Sequence, residues 1–166
     1  MDFEKAYDKV NSAFLFASLE RRGFNDTWCD WIKRVVTGGL VCIKLNNIIG
    51  PYFVSHKGVR QGDPLSPILF NFVADCLARM VRQAQSNGLL CGLADNLIDK
   101  GVAILQYVDD TIICLKDDVK IARNMKLLLC LFELMSGLKI NFGKSKVILI
   151  HGDDEKHLLY ADIFNC

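Results

Sequence analysis

Two adjacent acids, Asp109 and Asp110, sit within an otherwise apolar stretch formed by Leu105, Tyr107, Val108 and Ile112 to Leu115. Like charges held side by side in apolar surroundings repel each other and lose hydration, and a bound cation relieves both problems. Magnesium suits such a pair, because it takes hard carboxylate oxygens and keeps water or substrate phosphates in its remaining positions. A polar turn between two strands explains the same residues equally well, although Asp-Asp-Thr lacks the glycine such turns favour. Asp2 and Asp8 lie in the segment Asp2-Phe3-Glu4-Lys5-Ala6-Tyr7-Asp8, whose pattern passes from strand toward helix. Alone it reads as a solvated face. A third segment, Arg60-Gln61-Gly62-Asp63-Pro64-Leu65-Ser66-Pro67, joins a glycine that permits close backbone approach to a ligand with a proline that can open a helix. A plain loop-to-helix transition accounts for it as readily.

The elements around these segments follow from periodicity and caps. Asn11 and Ser12 predict a helix to about Arg22, ended by Gly23, and Asn25 and Asp26 predict a second, with Trp28, Ile32 and Val35 on one stripe and Gly38-Gly39 as its stop. Val41, Ile43 and Leu45 alternate in the strand manner, and Asn46 to Pro51 returns the chain into Tyr52 to Lys57 as a hairpin. Leu69, Val73, Cys76 and Met80 predict a long core helix from Pro67 to about Ala84. Val102 to Lys116 reads as two buried strands joined by the turn that carries the acids. Asp117 and Asp118 then cap a helix with two apolar stripes, Ile121, Met125, Leu128, Phe132, Met135 and Leu127, Leu131, Leu134, Leu138, expected to be buried on two sides. Val147 to Ile150 is expected as a last short strand and Asp153 to Phe164 as a weak helix. This order predicts an α+β fold, with helices on one face of a small, mostly antiparallel sheet.

Composition bounds the function. The chain has 166 residues, 51% hydrophobic and 23% charged, with a mean hydropathy of +0.22, which excludes a disordered tail and predicts one domain over 1–166. Twenty Lys and Arg against nineteen Asp and Glu give a net charge of +1, so any nucleic-acid contact must be local rather than a global basic field. The seven cysteines form no CxxC pair and sit mostly in apolar runs. They predict a reducing, intracellular setting without a zinc site. Charges interrupt every apolar run before membrane-spanning length, and no membrane partner is expected. His56, His151 and His157 show no ligand spacing, and Arg21-Arg22, Lys33-Arg34 and Arg79 with Arg82 read as solvated helix faces.

Taken together, four segments resemble the reverse transcriptase palm of non-LTR (LINE-type) retrotransposons, closer to the plant group than to viral enzymes. DFEKAYD at Asp2 to Asp8 is similar to the family's motif A, RQGDPLSPILFN at Arg60 to Asn71 to motif B, YVDD at Tyr107 to Asp110 to motif C, and GLKINFGKSK at Gly137 to Lys146 to motif D. They occur in family order across nearly the whole chain.

The resemblance implies a polymerase palm-like fold and RNA-directed DNA polymerase activity, in which two Mg2+ ions assist transfer of a dNTP to a primer 3'-hydroxyl. It assigns the metals to Asp2, Asp109 and Asp110. Tyr7 is implied beneath the incoming sugar, where its ring excludes a 2'-hydroxyl, and Gln61 and Gly62 line the nucleotide and template pocket. Lys144 is implied to neutralise or protonate pyrophosphate, and Phe3 to offer a backbone carbonyl. RNA template and DNA primer are the expected partners, together with fingers and thumb regions of a parent polyprotein. Only Met1 precedes Asp2, so this acid is expected at a fraying end. An inactive remnant or nucleic-acid-binding module, another palm-like two-metal enzyme such as a nucleotidyl cyclase, and a phosphoacceptor receiver domain are the competing classes. The cyclase would lack RQGDPLSP, and the receiver would need an alternating parallel βα pattern.

Overall fold

Asparagine and aspartate caps start the helices where the sequence places them. In the computed structural model, which describes residues 1–54, 57–107, 110–150 and 154–166, the Asn11 side chain accepts from the Ala13 and Phe14 amides at the head of a helix over Ser12–Glu20. Asn25 accepts from Trp28 N–H before Asp26–Thr37, and Asp118 from Lys120 and Ile121 before Val119–Ser136. The chain order is β1 (Phe3–Glu4), α1 (Ala6–Lys9), α2 (Ser12–Glu20), α3 (Asp26–Thr37), β2 (Leu40–Val41), β3 (Lys44–Leu45), β4 (Ile48–Ile49), β5 (Phe53–Val54), α4 (Ser66–Ser86), β6 (Ile104–Tyr107), β7 (Asp110–Ile113), α5 (Val119–Ser136), β8 (Lys139–Ile140) and α6 (Asp154–Phe164). The fold is mixed α and β, with small antiparallel ladders and a palm-like order of elements.

The core lies between α2, α4 and α5. Helix α4 has Pro67 in its first turn and buries Leu69, Phe70, Val73, Leu77 and Val81 at three and four residue steps. These side chains meet Leu15 and Leu19 of α2 and Met125, Leu129 and Phe132 of α5 in one apolar cluster. The edge of the Phe14 ring meets Phe132 with centroids 6.3 Å apart. Gly137 ends α5 with φ +75°, and a Cβ there would lie 2.6 Å from the Lys9 carbonyl oxygen. Only glycine lets the end of α5 pass this close to the first segment of the chain.

Four sequence expectations change. The predicted hairpin forms, with β2 on β5 and β3 on β4, and Asn46 and Asn47 take the paired positive φ values that a tight two-residue turn needs. Its apolar side chains nonetheless stay in solvent, with Ile48 74% exposed. Val35 is exposed while Cys29 and Ile32 are buried, because α3 rotates that stripe toward α2. The second stripe of α5 (Leu127, Leu131, Leu134) is exposed, so this helix is buried on one side. Val147–Ile150 forms no strand, as no ladder partner lies beside it among the described residues. The β6–β7 hairpin is also only half-buried, with Leu105 and Ile112 in solvent. All seven cysteines are free. No helix among the described residues is long and apolar enough to cross a membrane.

Candidate active site

The segment Met1 to Val10 is a hub against which the other three motif segments are tied. The Met1 amino group donates to the Thr111 carbonyl at 2.9 Å, and Thr111 N–H donates back to the Met1 carbonyl at 3.1 Å. This exchange is that of an antiparallel hydrogen-bonded pair, and it leaves Asp2 and Asp110 each one residue from the point where the two segments meet. On its other side β1 pairs with β8, Phe3 opposite Ile140, and Asn141 N–H donates to the Asp2 carbonyl at 2.9 Å. Asp2 therefore lies between the Met1–Thr111 exchange and the β1–β8 ladder, with Asn141 bonded to its carbonyl. Hydrogen bonds from both neighbours engage the backbone of Met1 and Asp2.

Asp2 and Asp110 have no cationic partner among the described residues. Other acids pair with bases, as in Glu4 with Lys9, Asp75 with Arg22, Arg79 and Arg82, Asp95 with Lys116, and Asp117 with Lys156. Asp2 is half-buried and Asp110 exposed, and neither forms an ion pair among the described residues. Like charges on neighbouring segments repel unless a cation joins them. Asp109 and Val108 lie outside the described residues. No group of three potential metal ligands is present among the described residues.

Lys5 turns β1 into α1 with φ +45°, a left-handed conformation rare for a side chain of its size. The Lys9 ammonium straps this bend by bonding Glu4 at 2.6 Å, which holds the Glu4 carboxyl below its ordinary range. The bend brings Tyr7 onto α4. Its ring stacks on Phe70 with centroids 5.0 Å apart and planes 28° from parallel, and its carbonyl accepts Val59 N–H at 2.7 Å. Gln61 and Gly62 follow directly in an exposed turn, where Gly62 has φ +85° and open space where a Cβ would point. Two open clefts, of about 410 Å³ and about 660 Å³, mark the surface, and the second is lined by Asp8, Gly58, Val59, Arg60 and Gln61. Phe3 is buried, 6.2 Å from the Phe132 ring, and its backbone belongs to the β1–β8 ladder. Lys144 ends a 3₁₀ turn over Phe142–Lys144 and is exposed.

Sequence reasoning passed over three residues that hold this arrangement. Gly58 donates its N–H to the Val10 carbonyl at 2.9 Å, and its φ of +81° marks a turn before RQGDPLSP that a lone glycine already hinted at. Asn141 carried the signal of an asparagine just before a turn. Lys126, whose ammonium stands 3.6 Å from the Phe142 ring centroid, carried none. Beneath the carboxylates, Gln106 and Thr111 face each other across the hairpin and leave Nε2 and Oγ1 buried without a partner among the described residues.

A family model described as reverse transcriptase (RNA-dependent DNA polymerase) matches residues 1–161. The chain is 37% identical over 79 residues to the retrovirus-related Pol polyprotein from type-2 retrotransposable element R2DM of Drosophila melanogaster, covering 48% of this chain and 8% of that protein. It is 27% identical over 151 residues to the transposon TX1 uncharacterized 149 kDa protein of Xenopus laevis, covering 90% of this chain and 11% of the other. It is 26% identical over 155 residues to the Pol polyprotein from type-1 retrotransposable element R2 of Popillia japonica, covering 90% and 20%. The chain thus spans a fifth or less of the length of these relatives. With four motif segments tied to one hub and the family model running through nearly all of it, the chain belongs to the reverse transcriptase (RNA-dependent DNA polymerase) family, with relatives in non-LTR retrotransposons.

Proposed function

We propose that this chain is the catalytic palm of an RNA-directed DNA polymerase of a LINE-type retroelement, which adds deoxynucleotides to a primer 3'-hydroxyl on an RNA template. The observation that supports the reading is the Met1–Thr111 pairing, which brings the segments of Asp2 and Asp110 together, neither acid forming an ion pair among the described residues. Two hard carboxylates on adjoining segments fit magnesium by donor chemistry, and Asp109 completes the proposed set of ligands. When bound, two such ions supply Lewis-acid activation of the attacking hydroxyl and neutralise charge on the leaving pyrophosphate.

The chain's own residues do the rest by position. Tyr7, fixed from below by Phe70 and from the side by Val59, presents its ring where the sugar of the nucleotide rests and excludes a 2'-hydroxyl by bulk. Gln61 and Gly62, two and three residues beyond Val59, line the nucleotide and template side. The Phe3 backbone carbonyl meets metal or sugar. Lys144 offers an ammonium to the leaving phosphates, as a point charge on a flexible stem. Fingers and thumb of a longer polyprotein would grip triphosphate and primer, and most of the rate of phosphoryl transfer comes from such positioning.

The test is extension of a DNA primer on an RNA template, with Mg2+ and dNTPs, by the longest natural polypeptide that carries this chain, beside its Asp109→Asn variant. Synthesis that Asp109→Asn abolishes without loss of fold is the expected result. Near-normal extension by Asp109→Asn overturns the metal assignment, and silence from an intact parent favours an inactive remnant. The 166-residue chain alone is expected to bind Mg2+ weakly and to extend no primer.

A further inference from the structure

We propose that Asn141 is a positioning residue that sets the Lys144 ammonium relative to the Asp2 carboxylate, coupling the group that meets the leaving phosphates to the group that holds metal. The proposal rests on the roles given to Asp2 and Lys144 above. Asn141 bonds in both directions. Its backbone N–H donates to the Asp2 carbonyl at 2.9 Å, and the β1–β8 register, continued one step from Phe3 and Ile140, places it directly across from Asp2. Its side-chain Oδ1 accepts from Lys144 N–H at 3.2 Å, while its carbonyl accepts from Lys144 N–H at 3.1 Å, Ser145 N–H at 3.0 Å and Ser145 Oγ at 2.9 Å. One residue thus forms both the end of the ladder beside Asp2 and the cap of the turn that carries Lys144.

Among the described residues nothing else aims Lys144. Its side chain is exposed and makes no hydrogen bond or ion pair among the described residues, so its direction is set by the backbone turn alone. The frame around Asn141 is rigid. Ile140 is buried, and its N–H donates to Glu133 Oε1 at 2.6 Å, which fixes β8 to α5. On the far side of the turn the Lys126 ammonium lies over the Phe142 ring and donates to the Phe164 carbonyl at 3.2 Å. With both flanks tied, loss of Oδ1 removes one of the two acceptors of Lys144 N–H and loosens the turn there, while the Asn141 carbonyl keeps its bonds.

The experiment is a double-mutant cycle on the chain itself, with inorganic pyrophosphate as probe in the presence of Mg2+, read by calorimetry. Lys144→Ala is expected to weaken pyrophosphate binding about tenfold and Asn141→Ala about fivefold, as expected for loss or misplacement of one charge-assisted contact. The double variant should bind no more weakly than Lys144→Ala within about twofold, because a residue acting through Lys144 has nothing left to position. Asn141→Ser, which restores a neutral capping oxygen, should recover most of the loss. Losses that multiply in the double variant would show a merely structural role and overturn the proposal. Pyrophosphate binding that is absent, or indifferent to Lys144→Ala, locates the failure in the Lys144 assignment instead and removes the proposal with it. If Asn141→Ala does not fold, Asn141→Gln, which moves the amide by one methylene, takes its place in the cycle with the same expected outcomes.

Discussion

Replacing Gly58 by alanine tests how the hub is held. Gly58 has φ +81°, and a Cβ there would stand 2.7 Å from the Asp8 carbonyl oxygen and 2.8 Å from the Asp8 carbonyl carbon and Cα. The obstacle is backbone, anchored by Gly58 N–H on Val10 and Val59 N–H on Tyr7, so it cannot swing aside as a side-chain tip would. The left-handed conformation costs alanine about 1–2 kcal/mol, and forcing an extra methyl against fixed atoms adds roughly 1–3 kcal/mol. The stiffer unfolded chain returns about 0.4–1 kcal/mol. The net is a destabilisation of about 2–4 kcal/mol, or a fall in Tm of roughly 5–15 °C for a chain of this size. Gly23 supplies the control, because its φ of +82° is nearly the same while nothing lies within 4 Å of its would-be Cβ. Gly23→Ala should therefore lose only the strain, about 1 kcal/mol after the unfolded-state gain. Guanidinium unfolding of both variants, followed by the fluorescence of Trp28 and Trp31, gives the comparison. Equal losses for Gly58→Ala and Gly23→Ala would refute the argument, since the close approach to Asp8 would then contribute nothing.

Other expectations test separate parts of the molecule. Tyr7→Ala in the parent polypeptide should raise ribonucleotide incorporation by opening the space above Phe70, and unchanged discrimination in primer extension would remove Tyr7 from the site. Phe132→Ala should cost about 3–5 kcal/mol in urea unfolding, because this ring is fully buried between Phe3 and Phe14; a loss under about 1 kcal/mol would mean the core closes around the gap. Burial pushes the Asp75 carboxyl up, but hydrogen bonds from Arg79 and Arg22 outweigh it and hold the group below its ordinary value. Its contribution is therefore complete above pH about 4 and lost as pH falls through the lowered folded value, so the stability gap between wild type and Asp75→Asn should shrink only in acid; a gap constant with pH contradicts the assignment. Burial, with its hydrogen bond to Asp117, pushes the Tyr160 hydroxyl up to about 12. That stability is complete below pH about 10 and lost as pH rises toward 12, and ultraviolet titration of phenolate should show a component ionising near 12 that Tyr160→Phe removes.

Local chemistry wrote much of this protein directly into its sequence. Asn11, Asn25 and Asp118 cap where they stand because a short side-chain oxygen reaches amides two or three residues on, a matter of local geometry alone. The apolar spacing of Leu69, Val73, Cys76 and Met80 likewise pointed to α4 as a core helix, in which Leu69 and Val73 are buried and Cys76 and Met80 partly so, and the motif strings pointed to the candidate carboxylates. Which apolar stripe is buried could not be read the same way. Leu127, Leu131 and Leu134 repeat as regularly as Met125, Leu128 and Phe132, yet only the second set finds α2 and α4 across from it. Periodicity shows that a face exists, while burial depends on a partner from elsewhere in the chain. The site has the same division. Asp2 and Asp110 stand 108 residues apart in sequence, and nothing local signals that Met1 pairs with Thr111 or that Asn141 takes the other side of Asp2. Strand pairing between distant segments is decided by how the helices beneath bring those segments together. Only the tertiary structure brings the segments that carry Asp2 and Asp110 together.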